Sequence, residues 1–177
     1  HPVCLAVACT GFADYVAEQG VVVSSTALLF GAVGRVELDN SFFNDPLFTA
    51  TLTEKELQFN KVTERDRYAS SGMSKWMRGV LPAVLRNIKQ LHDAGAIIAM
   101  GTDRVLGPMV HLEMELLAEA GIPPLDVITM STLNGAKYIG VDVYLGSIEI
   151  GKLADMVILA ADPTADIRNL SLIHISE

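Results

Sequence analysis

The chain has 177 residues, half of them hydrophobic and 19% charged, with a formal net charge of −8. That much apolar side chain excludes a disordered segment, and the length is enough to bury a core. The acidic balance and the absence of a Lys/Arg-rich face exclude nucleic acid as a partner, and no apolar run reaches the roughly 18 residues of a membrane-spanning helix.

The chain opens on His1 rather than Met, just before the apolar run Val3–Cys9, and reads as an internal start. That run suits a strand or a buried helix. Cys4 and Cys9 have neither redox nor zinc-ribbon spacing and read as small buried hydrophobes. Phe12–Gln19 predicts a helix closed by Gly20, and the β-branched run Val21–Thr26 predicts a buried strand. Residues 31–52 scatter Gly31, Gly34, Asn40, Asn44, Asp45 and Pro46 among isolated aromatics. A long irregular loop is expected there, of the kind that serves as a lid or binding segment.

Thr53-Glu54-Lys55-Glu56 fits a capping box, so a helix is expected from there to about Ala69. Arg65, Arg67, Lys75 and Arg78 are interrupted by Glu64 and Asp66 and read as a solvated helix surface. Leu81, Val84, Leu85, Ile88 and Leu91 share one helical face, with Pro82 near its start and Gly95 just past its end. Ala96–Met100 is then a short apolar strand, followed by Gly101-Thr102-Asp103. A helix over about Met109–Ala120 stops at Gly121, and Pro123-Pro124 opens another running towards Gly140. The order helix, strand, loop, helix occurs at 12–69 and again at 82–120, which predicts an α/β fold with a parallel sheet covered by helices.

After Gly140 the pattern changes. Leu145–Leu159 reads as two short strands around a turn at Ile150-Gly151-Lys152, in a separate layer from the sheet. Residues 171–177 match nothing before them and are expected to be a non-native tail. The expected division is therefore 1–140, 141–170 and 171–177.

Asp103 is the leading candidate for chemistry, because α/β folds place reactive groups just past the C-terminal ends of parallel strands. Alone, the tripeptide is a weak signal and suits better a turn Asp that caps nearby amides. Its surroundings add a resemblance. GTDRVLGPMVHLEMELLAEAGIPPLDVITMSTLNGAKYIGV followed by LGSIEIGKLADMVILAADPTADI resembles the C-terminal region of the amidohydrolase superfamily, nearest to imidazolonepropionase-like enzymes and metal-dependent dipeptidases. The likeness is clear over roughly 80–170 and looser over 11–30.

The resemblance implies the last part of a (β/α)8 TIM-type barrel, followed by β-hairpin strands of a small composite β-sandwich. It implies one or two divalent metals, usually zinc, and hydrolysis of a C–N bond by activated water. In the family the metals are held by an H-x-H pair, often a carboxylated Lys or a Glu, two single histidines, and an Asp after strand eight. Asp103 stands at that last position, with the implied roles of metal ligand and proton acceptor. His1 stands in the right order to be a single-histidine ligand. Arg104 is a candidate for a substrate carboxylate, although a surface salt bridge suits it better. His111 is a candidate for lining the pocket or holding the loop, although a solvated or supporting histidine suits it better. The implied substrate is a small molecule such as a dipeptide or N-acyl amino acid.

Other residues are given structural roles. His92 suits a helix C-terminus, Asp155 belongs to the hairpin segment, Asn134 has no evident chemistry, and Met100, Met109, Met114 and Met130 are core fillers. His174 lies in the suspect tail. No H-x-H occurs anywhere, and one Asp with one His falls short of the usual three or four metal ligands. The chain alone is therefore expected to be an inactive fragment whose exposed sheet edges favour self-association. Two other readings stay open: a non-catalytic barrel remnant acting in binding or assembly, and a metal-free barrel whose Gly101-Thr102 loop holds a phosphate.

Overall fold

β1 (Val22–Ser25) and β2 (Ile97–Met100) pair in parallel, with Val22 opposite Ile97 and Ser25 opposite Met100. The computed structural model describes residues 10–35, 37–104 and 106–171, so His1, Val3–Cys9 and His174 lie outside the described residues. α1 (Thr10–Gln19) precedes β1, and α2 (Ala27–Arg35) leaves it. α3 (Pro46–Thr51), α4 (Glu54–Gln58), α5 (Arg65–Ser70) and α6 (Met73–Asp93) then lead to β2. α7 (Met109–Glu119), α8 (Pro124–Ser131) and α9 (Leu133–Tyr138) follow it. The alternation gives the expected α/β class. Leu28, Phe43, Phe48, Ile98, Met109, Leu117, Ile122 and Val127 form the buried centre beside the sheet. Each such side chain contributes roughly 1.5–3 kcal/mol by leaving water.

The irregular loop expected over 31–52 is mostly helical. Gly31 and Gly34 lie inside α2, where they permit close packing instead of breaking the helix. A Cβ on Gly34 would stand 2.9 Å from the backbone nitrogen of Arg78, and one on Gly31 would stand 2.5 Å from Leu116 Cδ1. Asp45 caps α3 by accepting the Leu47 N–H at 2.8 Å, with Pro46 in the first turn. The turn-forming residues read as loop signals are thus helix-end and helix-contact signals.

The capping box at Thr53 and Glu56 forms as expected. The helix it opens changes to a π-helical turn over Phe59–Glu64 before resuming as α5. α6 begins at Met73, well before Pro82, because Ser74, Met77 and Leu81 are buried along its first turns. That packing outweighs the hydrogen bond Pro82 cannot donate. The single helix expected from Pro124 towards Gly140 is broken at Thr132, whose backbone leaves the helical region.

The hairpin expected over 145–159 does not form. Apart from an isolated bridge residue at Leu159, residues 141–166 are turns and extended chain. Leu153 N–H donates to Tyr144 O at 2.7 Å, while Ile148, Ile150, Val157 and Ile158 stand exposed. Two strands without a face to cover are marginal in water, and no described element packs on these side chains.

Candidate active-site loop

The end of β2 is held against β1 by Gly101, whose N–H donates to Ser25 O at 2.8 Å. A Cβ there would stand 3.1 Å from Ser25 O, tighter than an ordinary contact, so glycine at 101 eases the close approach of the two strand ends. Thr102 Oγ1 donates to Arg104 O at 2.9 Å and accepts the Arg104 N–H at 3.3 Å. Between them Asp103 has φ +50°, the one non-glycine residue of positive φ among the described residues. Left-handed backbone costs an L-residue roughly 1–2 kcal/mol, least for Asp and Asn. Its side chain is exposed, and among the described residues this carboxylate makes none of the hydrogen bonds that cap an amide.

Arg104 turns the other way, into the protein. It pairs with Glu64, and its Nη1 donates to Tyr68 Oη at 3.4 Å. The pair sits in a crevice walled by Phe42, Phe43, Asn60 and Met109. Burial alone would lower the Arg104 pKa, but the hydrogen bond and charge of Glu64, helped by Tyr68, raise it above the ordinary value. The guanidinium charge is therefore satisfied from within the chain.

His111 lies on α7 and its Nδ1 is 3.1 Å from Ser171 Oγ, tying α7 to the turn Ile167–Ser171. Burial lowers its pKa, opposed by the charge of Asp45. His92 joins the end of α6 to the start of α8, with Nε2 3.0 Å from Asp126 Oδ2. Asn134 Nδ2 donates to Ile98 O at 2.9 Å, satisfying a strand carbonyl that no third strand covers among the described residues. Asp155 is exposed in the extended tail.

Glu113 has no role in the sequence reading, yet it is fully buried. Its carboxylate accepts Ser25 Oγ at 2.8 Å, Ala27 N–H at 3.1 Å, and the N–H of Leu28. Burial raises its pKa, against those three hydrogen bonds. The available signal is its position on the apolar stripe of α7, four residues after Met109 and three before Leu116.

Asp103, Arg104 and His111 do not converge. Arg104 lines the crevice, whereas Asp103 and His111 are absent from its walls. Among the described residues no three His, Cys, Asp or Glu side chains group to hold a metal ion. Asp103 alone does not fit a divalent metal, so any such site needs further donors. Among the described residues, no helix is long and apolar enough to cross a membrane.

Residues 14–173 match the amidohydrolase family. The chain belongs to that family. A 5'-deoxyadenosine deaminase of Methanothermobacter thermautotrophicus is 30% identical over 120 residues, covering 59% of this chain and 26% of the deaminase. An imidazolonepropionase of Symbiobacterium thermophilum is 31% identical over 77 residues, covering 41% of this chain and 18% of that enzyme. Among solved structures, a Xaa-Pro dipeptidase with methionine bound in its active site superposes with a TM-score of 0.59 at 25% identity. That superposition covers 91% of this chain and 34% of the dipeptidase. This amidohydrolase chain thus spans about a third or less of the proteins it matches, and its α/β fold and hydrolase kinship rest on nearly its whole length.

Proposed function

We propose that the chain is the part of a C–N bond hydrolase that carries the catalytic carboxylate, Asp103. The observation that carries the reading is an exposed carboxylate in left-handed backbone just past the end of a parallel strand. Strained backbone of this kind concentrates at functional sites. As water attacks the substrate carbonyl carbon, Asp103 accepts a water proton. The C–N bond then breaks and the amine leaves carrying a proton. A positioned base of this sort supplies about 10²–10⁴-fold in rate.

The divalent metal implied by the family, zinc by resemblance and one or two in number, would have Asp103 among its ligands. His1 and side chains beyond this chain are proposed for the other positions. A metal of this kind lowers the pKa of bound water and polarises the carbonyl. The proposed substrate is a dipeptide or N-acyl amino acid, in line with the dipeptidase superposition. The deaminase relative supports a second reading, hydrolytic loss of an amine from a heterocyclic base.

Sequencing the reading frame upstream of the His1 codon tests this. An H-x-H after an early apolar strand, with further histidines or a lysine at later strand ends, is the expected result. A frame without them would reduce the chain to a non-catalytic remnant. The isolated 177-residue chain, assayed with zinc on a dipeptide panel, is expected to show no turnover, and metal-dependent turnover would overturn the fragment reading. Self-association through the exposed apolar residues 148–158 is expected in sedimentation at rising concentration. A clean monomer would contradict it.

A further inference from the structure

The strongest feature outside Asp103 itself is the half-buried ion pair beside it. Glu64 lies 40 residues before Arg104, yet their side chains are only 17% and 13% exposed. A pair shielded to this degree is not an ordinary surface salt bridge, because removing one partner leaves the other charge uncompensated among apolar walls.

The backbone is shaped to make this contact. The π-helical turn Phe59–Glu64 ends on Glu64, and π turns inside helices are rare and often sit at functional sites. Asn60 is buried within the turn, and its Nδ2 donates to Glu56 O at 2.7 Å. Asn40 Nδ2 donates to Lys61 O at 3.0 Å, and Lys61 Nζ to Asn44 Oδ1 at 2.7 Å, fixing the turn to the preceding segment. Glu64 and Tyr68, one helical turn apart, therefore both reach Arg104.

We propose that Glu64 and Tyr68 are positioning residues that hold Arg104 and thereby the left-handed turn at Asp103, so that the helical segment 41–71 clamps the candidate active-site loop. The inference rests on the reading of Asp103 given above. Gly101 fixes the turn on one side through Ser25, and Arg104 fixes it on the other through its side chain. Without Glu64 the guanidinium would leave the crevice for water. The unfavourable φ at Asp103 would then relax.

Amide hydrogen exchange on the 177-residue chain tests the clamp without needing catalysis. Glu64→Gln is expected to speed exchange at 101–104 by about tenfold or more while leaving α7 unchanged, as for a local opening. Tyr68→Phe should act in the same direction to a smaller extent, and it keeps the test decisive if Glu64→Gln does not fold. Arg65→Ala, which breaks an exposed pair with Asp66 on the same segment, should have no effect. The charge exchange Glu64→Arg with Arg104→Glu should restore protection, which a loss of bulk packing would not allow. Unchanged exchange at 101–104, or equal acceleration there and in α7, would overturn the clamp. An inactive complete protein with the clamp intact would instead overturn only the hydrolase reading.

Discussion

Glu113 accepts a hydrogen bond from Ser25 Oγ at 2.8 Å across 88 residues of sequence. With the N–H groups of Ala27 and Leu28 on the same carboxylate, α7 is fastened to the end of β1 and the start of α2. β1 in turn sets the height of β2, whose end carries Asp103. Replacing Glu113 with Ala would leave three buried donors without an acceptor, each costing about 1–3 kcal/mol. A loss of about 3–5 kcal/mol is expected from the urea midpoint, with a smaller loss for Glu113→Gln, which keeps one acceptor. A midpoint within experimental error of the parent would show that the carboxylate holds nothing.

The glycines of the helices divide by what surrounds them. Gly34→Ala places a methyl 2.9 Å from the Arg78 backbone nitrogen and should cost about 1–3 kcal/mol by forcing α2 from α6. Gly11, in α1, has no described atom within 4 Å of its added Cβ. Gly11→Ala should therefore gain up to about 1 kcal/mol from helix propensity. Thermal melts of the two variants should move in opposite directions.

His111 predicts a pH dependence whose sign follows from burial. Its folded pKa lies below the ordinary 6.5, so the unfolded chain takes up the proton first as pH falls. Its contribution to stability is complete above about pH 6.5 and is lost as the pH drops from there towards the folded value. Comparing urea midpoints at pH 7.5 and 5.5, His111→Gln should lose less stability than the parent. An equal loss in both would remove His111 as a source.

Local signals in the sequence located both strands to within a residue or two, the capping box, and the stops at Gly20, Gly95 and Gly121. They are legible because hydrophobic runs and left-handed glycines act over a few residues. Gly31, Gly34 and Pro82 misled because tertiary packing overrides propensity: their significance lies in Leu116, Arg78 and the α2–α6 contact, all distant in sequence. The hairpin over 145–159 was legible as strand-like sequence, but a strand forms only where another element covers it. Asp103 was visible as the residue after an apolar strand. Its left-handed φ, and the grip of Glu64 on Arg104, depend on contacts that no local pattern carries.

The most direct test of the central claim is a comparison of the complete protein with its Asp103→Asn and Asp103→Gly variants, assayed for hydrolysis of a dipeptide panel in the presence of zinc. Both variants should lose about 10²–10⁴-fold in kcat, as expected for removal of a positioned base. Asp103→Gly should melt no lower than the parent, because glycine accepts the left-handed turn without strain. Turnover by Asp103→Asn within a few-fold of the parent would contradict the assignment of Asp103 as the catalytic carboxylate.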